Sequence, residues 1–276
     1  MDATKNQNCN IDLDAWLEQP SGIYIHAWEQ LVLDRLTADI FGFNAVQIGL
    51  PQMNCLAASR MPNRWIINDV LLSQSLPHAL SNSTPDTLLN SAHPVALLSN
   101  FEELPFESQS LDLVVLPHVL EFAAEPHQIL REVERVLIPE GRLIICGFNK
   151  ASLWGARQAL GRLTADQFFP RDGEFISLLR LKDWLKLLNM EVDRGHFGCY
   201  VPPINSQKWL QRFHFIETAG ARWWPVLGAA YVVQAIKRVK GMHLIGPAWK
   251  NKKLRLPTAV PVSHRHHRHN SDPGDQ

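Results

Sequence analysis

Two side chains that could do chemistry stand where short apolar runs of the sequence end. Asp69 closes the run RWIIND, and His118 directly follows the run LDLVVLP. A carboxylate accepts hydrogen bonds, and an imidazole can act as a general base near neutral pH. Each residue also has a structural interpretation, because Asp69 could form a turn at a strand end and His118 could cap the next loop. The two residues alone leave both interpretations open.

Residue types that bind metals form no recognisable site in the sequence. The four cysteines are far apart and include no CxxC pair, so a zinc cluster is not expected. Histidines recur between residues 264 and 269. They could bind a metal adventitiously, but a solvated basic tail is the simpler explanation. We therefore expect no metal site.

Short apolar runs and amphipathic stretches predict an α/β domain that positions these residues. Almost continuous apolar runs are typical of strands buried on both faces of a parallel sheet. Strands are predicted at FNAVQIGLP (43–51), RWIIND (64–69), PVALLS (94–99), LDLVVLP (111–117) and RLIICGF (142–148). Helical spacing predicts helices within 14–41, over 126–137 and over 175–189. A turn over 139–141, a strand near 190–200, an inserted helix over 206–222 and a last strand within 226–238 complete the pattern.

The segment from Glu103 to Asn149 resembles the centre of the type 11 class I S-adenosylmethionine-dependent methyltransferases. In that family a Leu-Pro-Phe segment leads into the fourth strand, a His follows the strand, and an Asp-Pro helix and a Pro-Gly-Gly turn lead into the fifth. Here these elements are Leu104-Pro105-Phe106, His118, Glu125-Pro126 and Pro139-Glu140-Gly141. The resemblance spans roughly residues 43–238. It implies a Rossmann-like fold with a seven-stranded, mostly parallel sheet whose last strand is antiparallel, and a ligand at the carboxyl ends of the strands.

The resemblance implies S-adenosylmethionine as the cofactor, although the first loop departs from the family pattern. That loop reads Asp-x-Gly-x-Gly-x-Gly in the family, and this chain has Gln47, Gly49, Pro51 and Met53 at those places. Pro51 fixes its φ and lacks an N–H donor. Gln47 can hydrogen-bond but cannot neutralise the cofactor's ammonium group. Gln47 and Gly49 are the cofactor contacts expected in this loop.

The resemblance places the remaining contacts after the later strands. Asp69 would accept hydrogen bonds from the ribose hydroxyls, and Asn100 would accept one from the adenine amine. Phe101 could stack on the adenine or lie in the core. Pro117 would lie on the same rim, and His118 would stand at the mouth of the methyl-transfer site as a general base or a substrate contact.

Two functions are compatible with these observations. The first is a methyltransferase acting on an unidentified acceptor, in which the protein aligns a nucleophile with the methyl group. The second is a non-catalytic protein that keeps the fold as a binding or scaffold module, which the altered glycine loop motivates.

The distribution of charge divides the chain. Formal net charge is +0, yet residues 237–276 hold nine Lys or Arg and two Asp or Glu. We expect N-terminal helices over 1–42, a methyltransferase-like domain over 43–239 and a basic, disordered tail over 240–276. A nucleic-acid partner is expected only through this tail. The N-terminus lacks a signal-peptide pattern and no apolar stretch reaches the roughly 20 residues of a bilayer span, so we expect a cytoplasmic protein with no membrane span.

Overall fold

Seven strands form one sheet in the computed structural model, which describes residues 13, 16–69, 96–164, 169, 173–213 and 215–238. The order is β3-β2-β1-β4-β5-β7-β6, and only β7 pairs antiparallel with its neighbours. This arrangement confirms the predicted Rossmann-like class I methyltransferase fold. The strands are β1 (Asn44–Ile48), β2 (Asn63–Asn68), β3 (Leu97–Leu98), β4 (Leu111–Pro117), β5 (Leu137–Phe148), β6 (Met190–Gly198) and β7 (Ala230–Lys237).

Two apolar clusters lie on opposite faces of the sheet, because successive residues of a strand point to opposite sides. In the first cluster Val115 of β4 packs with Leu33 of an N-terminal helix. In the second, Val114 and Leu116 pack with Val133 of the helix that precedes β5. The described helices are α1 (Pro20–Ala38), α2 (Val119–Phe122), α3 (Pro126–Val136), α4 (Leu153–Thr164), α5 (Leu178–Leu187), α6 (Gln207–Arg212) and α7 (Phe215–Trp223).

Helix α1 buries a different face from the one that its apolar residues suggest. Ile23 and Leu31, two of the apolar residues at helical spacing within 14–41, are 57% and 56% exposed. The buried face follows the helical repeat at intervals of three and four residues. It consists mainly of Ile25, Glu29, Val32, Leu33 and Leu36. A carboxylate therefore lies on the face that packs against the sheet.

Two other element predictions need correction. The turn predicted over 139–141 lies inside β5, where residues 138–141 bulge opposite a single residue of β4 and Glu140 takes a φ of 62°. The helix predicted over 206–222 is two short helices, α6 and α7. Predictions for the start of the strand at 94–99 and for the tail from 240 fall outside the described residues. In the part of the chain that the structure describes, no helix is both long and apolar enough to cross a membrane.

Candidate active site at the carboxyl edge of the sheet

Parallel strands bring most of the predicted site residues to one edge. Gly49 follows β1, Asp69 follows β2, Phe101 follows β3 and Pro117 ends β4. Backbone hydrogen bonds continue between these strand ends, since the Gly49 N–H donates to Ile67 O (2.7 Å). In an open parallel sheet of this kind, the ligand crevice lies at this edge.

Gly49 is where the loop after β1 meets the loops after β3 and β4. Its φ is +79°, a conformation that favours glycine. A Cβ at this position would lie 2.7 Å from Val119 Cγ2 and 3.7 Å from the Phe101 ring. Phe101 is largely buried, at 9% exposure. Gly49, Phe101 and Val119 therefore form a closely packed wall at the carboxyl edge.

Gln47 holds the loop after β1 in a closed turn. Its buried Nε2 donates to three carbonyl oxygens, those of Gly49 (3.1 Å), Leu50 (3.0 Å) and Met53 (2.7 Å). Its Oε1 accepts from the Cys55 N–H at 2.9 Å. An acidic residue in this place would face the three carbonyl oxygens with no hydrogen to donate. The amide of Gln47 is thus matched to this loop, and its polar atoms are turned toward the loop.

Met53, at the position of the family's third glycine, points away from the site. Its side chain is fully buried in the cluster that α1 covers, together with Leu50. The Met53 N–H donates to Leu50 O at 3.1 Å, and Leu50 takes a φ of 47°. Pro51 lies half-buried in the turn between them. Where the family has glycines, this loop therefore forms a turn that is anchored in the core.

Asp69 and Asn100 lie near the surface after β2 and β3. Asp69 is half-buried, and its N–H donates to Asn68 Oδ1 at 3.0 Å. Asn100 is exposed, and its Oδ1 accepts from the Glu102 N–H at 3.0 Å. The strands carry both residues to the predicted edge. Their contacts with ribose and adenine stay predictions.

His118 lies at the end of β4 with both ring nitrogens bonded to carboxylates. Its Nδ1 is 3.0 Å from Glu121 Oε2, and its Nε2 is 2.9 Å from Glu29 Oε1. The residue is 1% exposed, has a φ of 55° and packs its ring 4.2 Å from the Phe148 ring centroid. Glu121 Oε1 also accepts from the Phe148 N–H at the end of β5. We call Glu29, His118 and Glu121 the buried triad.

The two carboxylates make His118 a cation at neutral pH. Burial by itself would lower the pKa of His118, but the charge of Glu29 and the hydrogen bonds to Glu121 and Glu29 outweigh it and raise the pKa to about 10. Burial raises the pKa of Glu121, and its contact with His118 opposes that shift. Catalysis by His118 stays a prediction, and in this structure the side chain has carboxylate partners on both nitrogens.

Glu29 is a member of this site that the sequence analysis missed. The sequence does contain a signal for it, because Glu29 lies at helical spacing from Ile25, Val32 and Leu36 and so shares one face of α1 with them. A charged residue on a buried face requires a partner.

Among the described residues no group of three or more His, Cys, Asp or Glu side chains is suited to holding a metal ion.

Sequence comparisons agree with this architecture. A family described as "Methyltransferase domain" matches residues 72–145. The uncharacterized protein YafS of Escherichia coli strain K12 is 31% identical over 250 residues, which cover 90% of each chain. The chain shares a family with YafS, its residues 72–145 match a methyltransferase domain, and its sheet has the fold of the class I S-adenosylmethionine-dependent methyltransferases. S-adenosylmethionine is the cofactor of that class.

Solved structures show the same fold at low sequence identity. A methyltransferase from Thermotoga maritima matches with a TM-score of 0.52 and 15% identity, covering 78% of this chain and 93% of its own. A chain from the Haloferax volcanii complex of a methyltransferase with its activator matches with a TM-score of 0.53 and 14% identity, covering 85% and 100%. These likenesses concern the fold alone.

Proposed function

We propose that the protein binds S-adenosylmethionine at the carboxyl edge of the sheet and transfers its methyl group to an acceptor. The observation that carries this proposal is the meeting of Gly49, Asp69, Phe101 and Pro117 at the ends of parallel strands in a chain of the methyltransferase family. The same edge holds the ligand crevice in open α/β sheets.

The side chains at this edge fit the nucleoside part of the cofactor. Asp69 would accept hydrogen bonds from the ribose hydroxyls, and Asn100 would accept one from the adenine amine. Phe101 presents an aromatic ring beside Gly49, where it would pack against the base. Gln47 would act indirectly, because its amide holds the loop in shape and is already engaged with it.

The cofactor, when bound, supplies an electrophilic methyl group on a sulfonium. The protein then has to align the acceptor with that methyl group and exclude competing water. The buried triad supports this role by tying the residue after β4 to both α1 and the end of β5. Pro117 and Val119, which flank His118, are thereby held at the edge where transfer would occur.

A second candidate function is a binding or scaffold protein that uses the fold without methyl transfer. The specific observation in its favour is the contact between Val119 and Gly49, which fills the space directly beside the loop's one remaining family glycine. Pro51 and Met53 in place of the other two glycines add to it.

Calorimetric titration with S-adenosylmethionine and with its demethylated product separates the two functions, because it needs no acceptor. We expect saturable binding of both, weaker than in relatives that keep all three glycines. A titration without heat and without a thermal shift at millimolar concentrations would reject the cofactor site and favour the scaffold function.

A further inference from the structure

The segment between β6 and β7 stands at the same edge of the sheet as the candidate active site. Strand β7 is antiparallel to both β5 and β6, so β6 ends and β7 begins at the carboxyl edge. Asn149, which follows β5, fixes the segment there. Its Nδ2 donates to Val226 O (2.7 Å) and Gly228 O (2.9 Å). Helices α6 and α7 and the turn after them are therefore part of this edge.

A row of large apolar side chains in this segment faces solvent. All seven residues from Ala221 to Leu227 are exposed, and Trp223 and Trp224 reach 70% and 59%. Exposed apolar patches of this kind mark interaction sites in soluble proteins. We call the set the aromatic ridge, and it consists of Trp209, Phe215, Trp223, Trp224, Val226 and Leu227.

The aromatic ridge is the outer side of a segment whose inner side is packed. A Cβ on Gly220 would lie 2.3 Å from the Tyr200 ring. The Tyr200 N–H donates to Glu217 (2.8 Å), and its hydroxyl donates to Pro225 O (2.7 Å). Because α7 is already packed and hydrogen-bonded on its inner side, the exposed tryptophans are not part of the hydrophobic core.

The exposed charges within this segment all have one sign. In the described part of residues 206–228 the exposed charged side chains are Lys208, Arg212 and Arg222, while Glu217 is half-buried against Tyr200. The Arg212 guanidinium lies 5.7 Å from the Trp209 ring centroid. Tryptophan with flanking Lys and Arg is the composition of protein surfaces that lie in the interface of anionic bilayers.

We propose that the aromatic ridge docks this protein on the surface of an anionic phospholipid membrane. The tryptophans would enter the headgroup region, and Lys208, Arg212 and Arg222 would contact lipid phosphates. A uniformly negative surface matches the one-sided charge of the ridge, whereas two copies of the ridge would repel each other. The docking is peripheral and does not depend on the methyl transfer proposed above.

Sedimentation of the full chain with vesicles tests the proposal. We expect binding to phosphatidylglycerol–phosphatidylcholine vesicles, weaker binding to phosphatidylcholine vesicles, and loss of binding as salt increases. The double variant Trp223→Ala/Trp224→Ala should bind the anionic vesicles at least about tenfold more weakly, because it removes the apolar anchor. The matched control is Leu179→Ala/Leu187→Ala, which removes two leucines of α5 that are even more exposed than the tryptophans and should bind as the unaltered protein does.

The tryptophan variant decides the outcome, because basic residues after Lys237 also favour anionic lipid. Equal sedimentation of this variant and the unaltered protein would overturn the proposal, as would no sedimentation at all. A concentration-dependent dimer that only the tryptophan variant loses would assign the ridge to self-association instead. Quenching of tryptophan fluorescence by brominated phospholipid gives an independent readout, and its disappearance in the variant would support the docking.

Discussion

Glu29 and His118 are separated by 89 residues in the sequence, and Glu29 Oε1 lies 2.9 Å from His118 Nε2 in the interior of the protein. Both side chains are 1% exposed or less. The pair connects α1, which precedes the sheet, to the end of β4 at its centre. The N-terminal helix therefore helps to build the candidate site.

Removing the Glu29 carboxylate should destabilise the protein strongly. Glu29→Ala leaves the His118 cation with one carboxylate in a buried site, and breaking a buried ion pair costs about 3–5 kcal/mol. The change is measured by urea unfolding at neutral pH. Glu29→Gln keeps a hydrogen-bonding side chain and should lose less stability than Glu29→Ala. Glu18→Ala, at an exposed position before α1, is the control and should stay within about 0.5 kcal/mol of the unaltered protein. A loss below about 1 kcal/mol in Glu29→Ala would contradict the buried pairing.

The pH dependence of stability should report the protonation of His118. Its pKa is 6.5 in an unfolded chain and about 10 in the folded protein, so between these values only the folded state keeps the proton. The stabilising contribution is complete below about pH 6.5 and disappears as pH rises toward 10, with a slope of up to about 1.4 kcal/mol per pH unit.

Unfolding curves between pH 6.5 and 10 measure this slope, and Glu29→Gln is the informative comparison. The variant removes the charge that does most to raise the pKa of His118, so its stability should fall over a narrower range at lower pH. Buried thiols also titrate against folding in alkaline solution, and the charge of Glu29 contributes to their raised pKa, so the two proteins are compared below about pH 8, where thiols keep their protons in both the folded and the unfolded state. Identical pH profiles would show that Glu29 does not set the pKa of His118.

The strands were predictable because their side chains are almost continuously apolar. LDLVVLP coincides with β4, the predicted run RLIICGF lies within the longer β5, and β7 lies within the predicted run 226–238. A strand buried on both faces needs such a run whatever its neighbours are. The edge strand β3 contains only Leu97 and Leu98, both exposed, so little in its sequence fixes its limits.

The internal partners of the site were not predictable from spacing. Glu29 reaches His118 only because α1 is rotated so that Ile23 and Leu31 face solvent, and that rotation depends on the packing of the whole helix against the sheet. The loop after β1 shows the same limit. Its sequence revealed the missing glycines, while the hydrogen bonds from Gln47 that compensate for them depend on how the turn closes.

Substitutions of Gln47 should show how far this single amide maintains the loop. Gln47→Leu would leave the Cys55 N–H and the carbonyl oxygens of Gly49 and Met53 without their side-chain partner, and each buried group left unsatisfied costs about 1–3 kcal/mol. We expect a total loss of at least about 3 kcal/mol in urea unfolding. Gln47→Glu, although similar in shape, should also be destabilising because a carboxylate cannot donate to the oxygens of Leu50 and Met53. A free energy of unfolding close to that of the unaltered protein in both variants would show that the Gln47 amide does not maintain the loop.

Asp69 provides the sharpest test of where the ribose lies. If the cofactor binds at the carboxyl edge, Asp69→Ala should weaken binding by the value of a charge-assisted hydrogen bond, about 1.5–3 kcal/mol, or roughly tenfold to more than a hundredfold in Kd. Asp69→Asn keeps one acceptor oxygen without the charge and should bind with intermediate affinity. Asp183→Ala removes an exposed carboxylate from α5 and should leave the affinity unchanged. The measurement is a calorimetric titration with S-adenosylmethionine, accompanied by unfolding curves, because Asp69 is half-buried and takes part in local contacts. A folded Asp69→Ala protein that binds as tightly as the unaltered chain would show that the ribose contact lies elsewhere. The proposed order of cofactor contacts along the edge from Gly49 to Pro117 would then also be wrong.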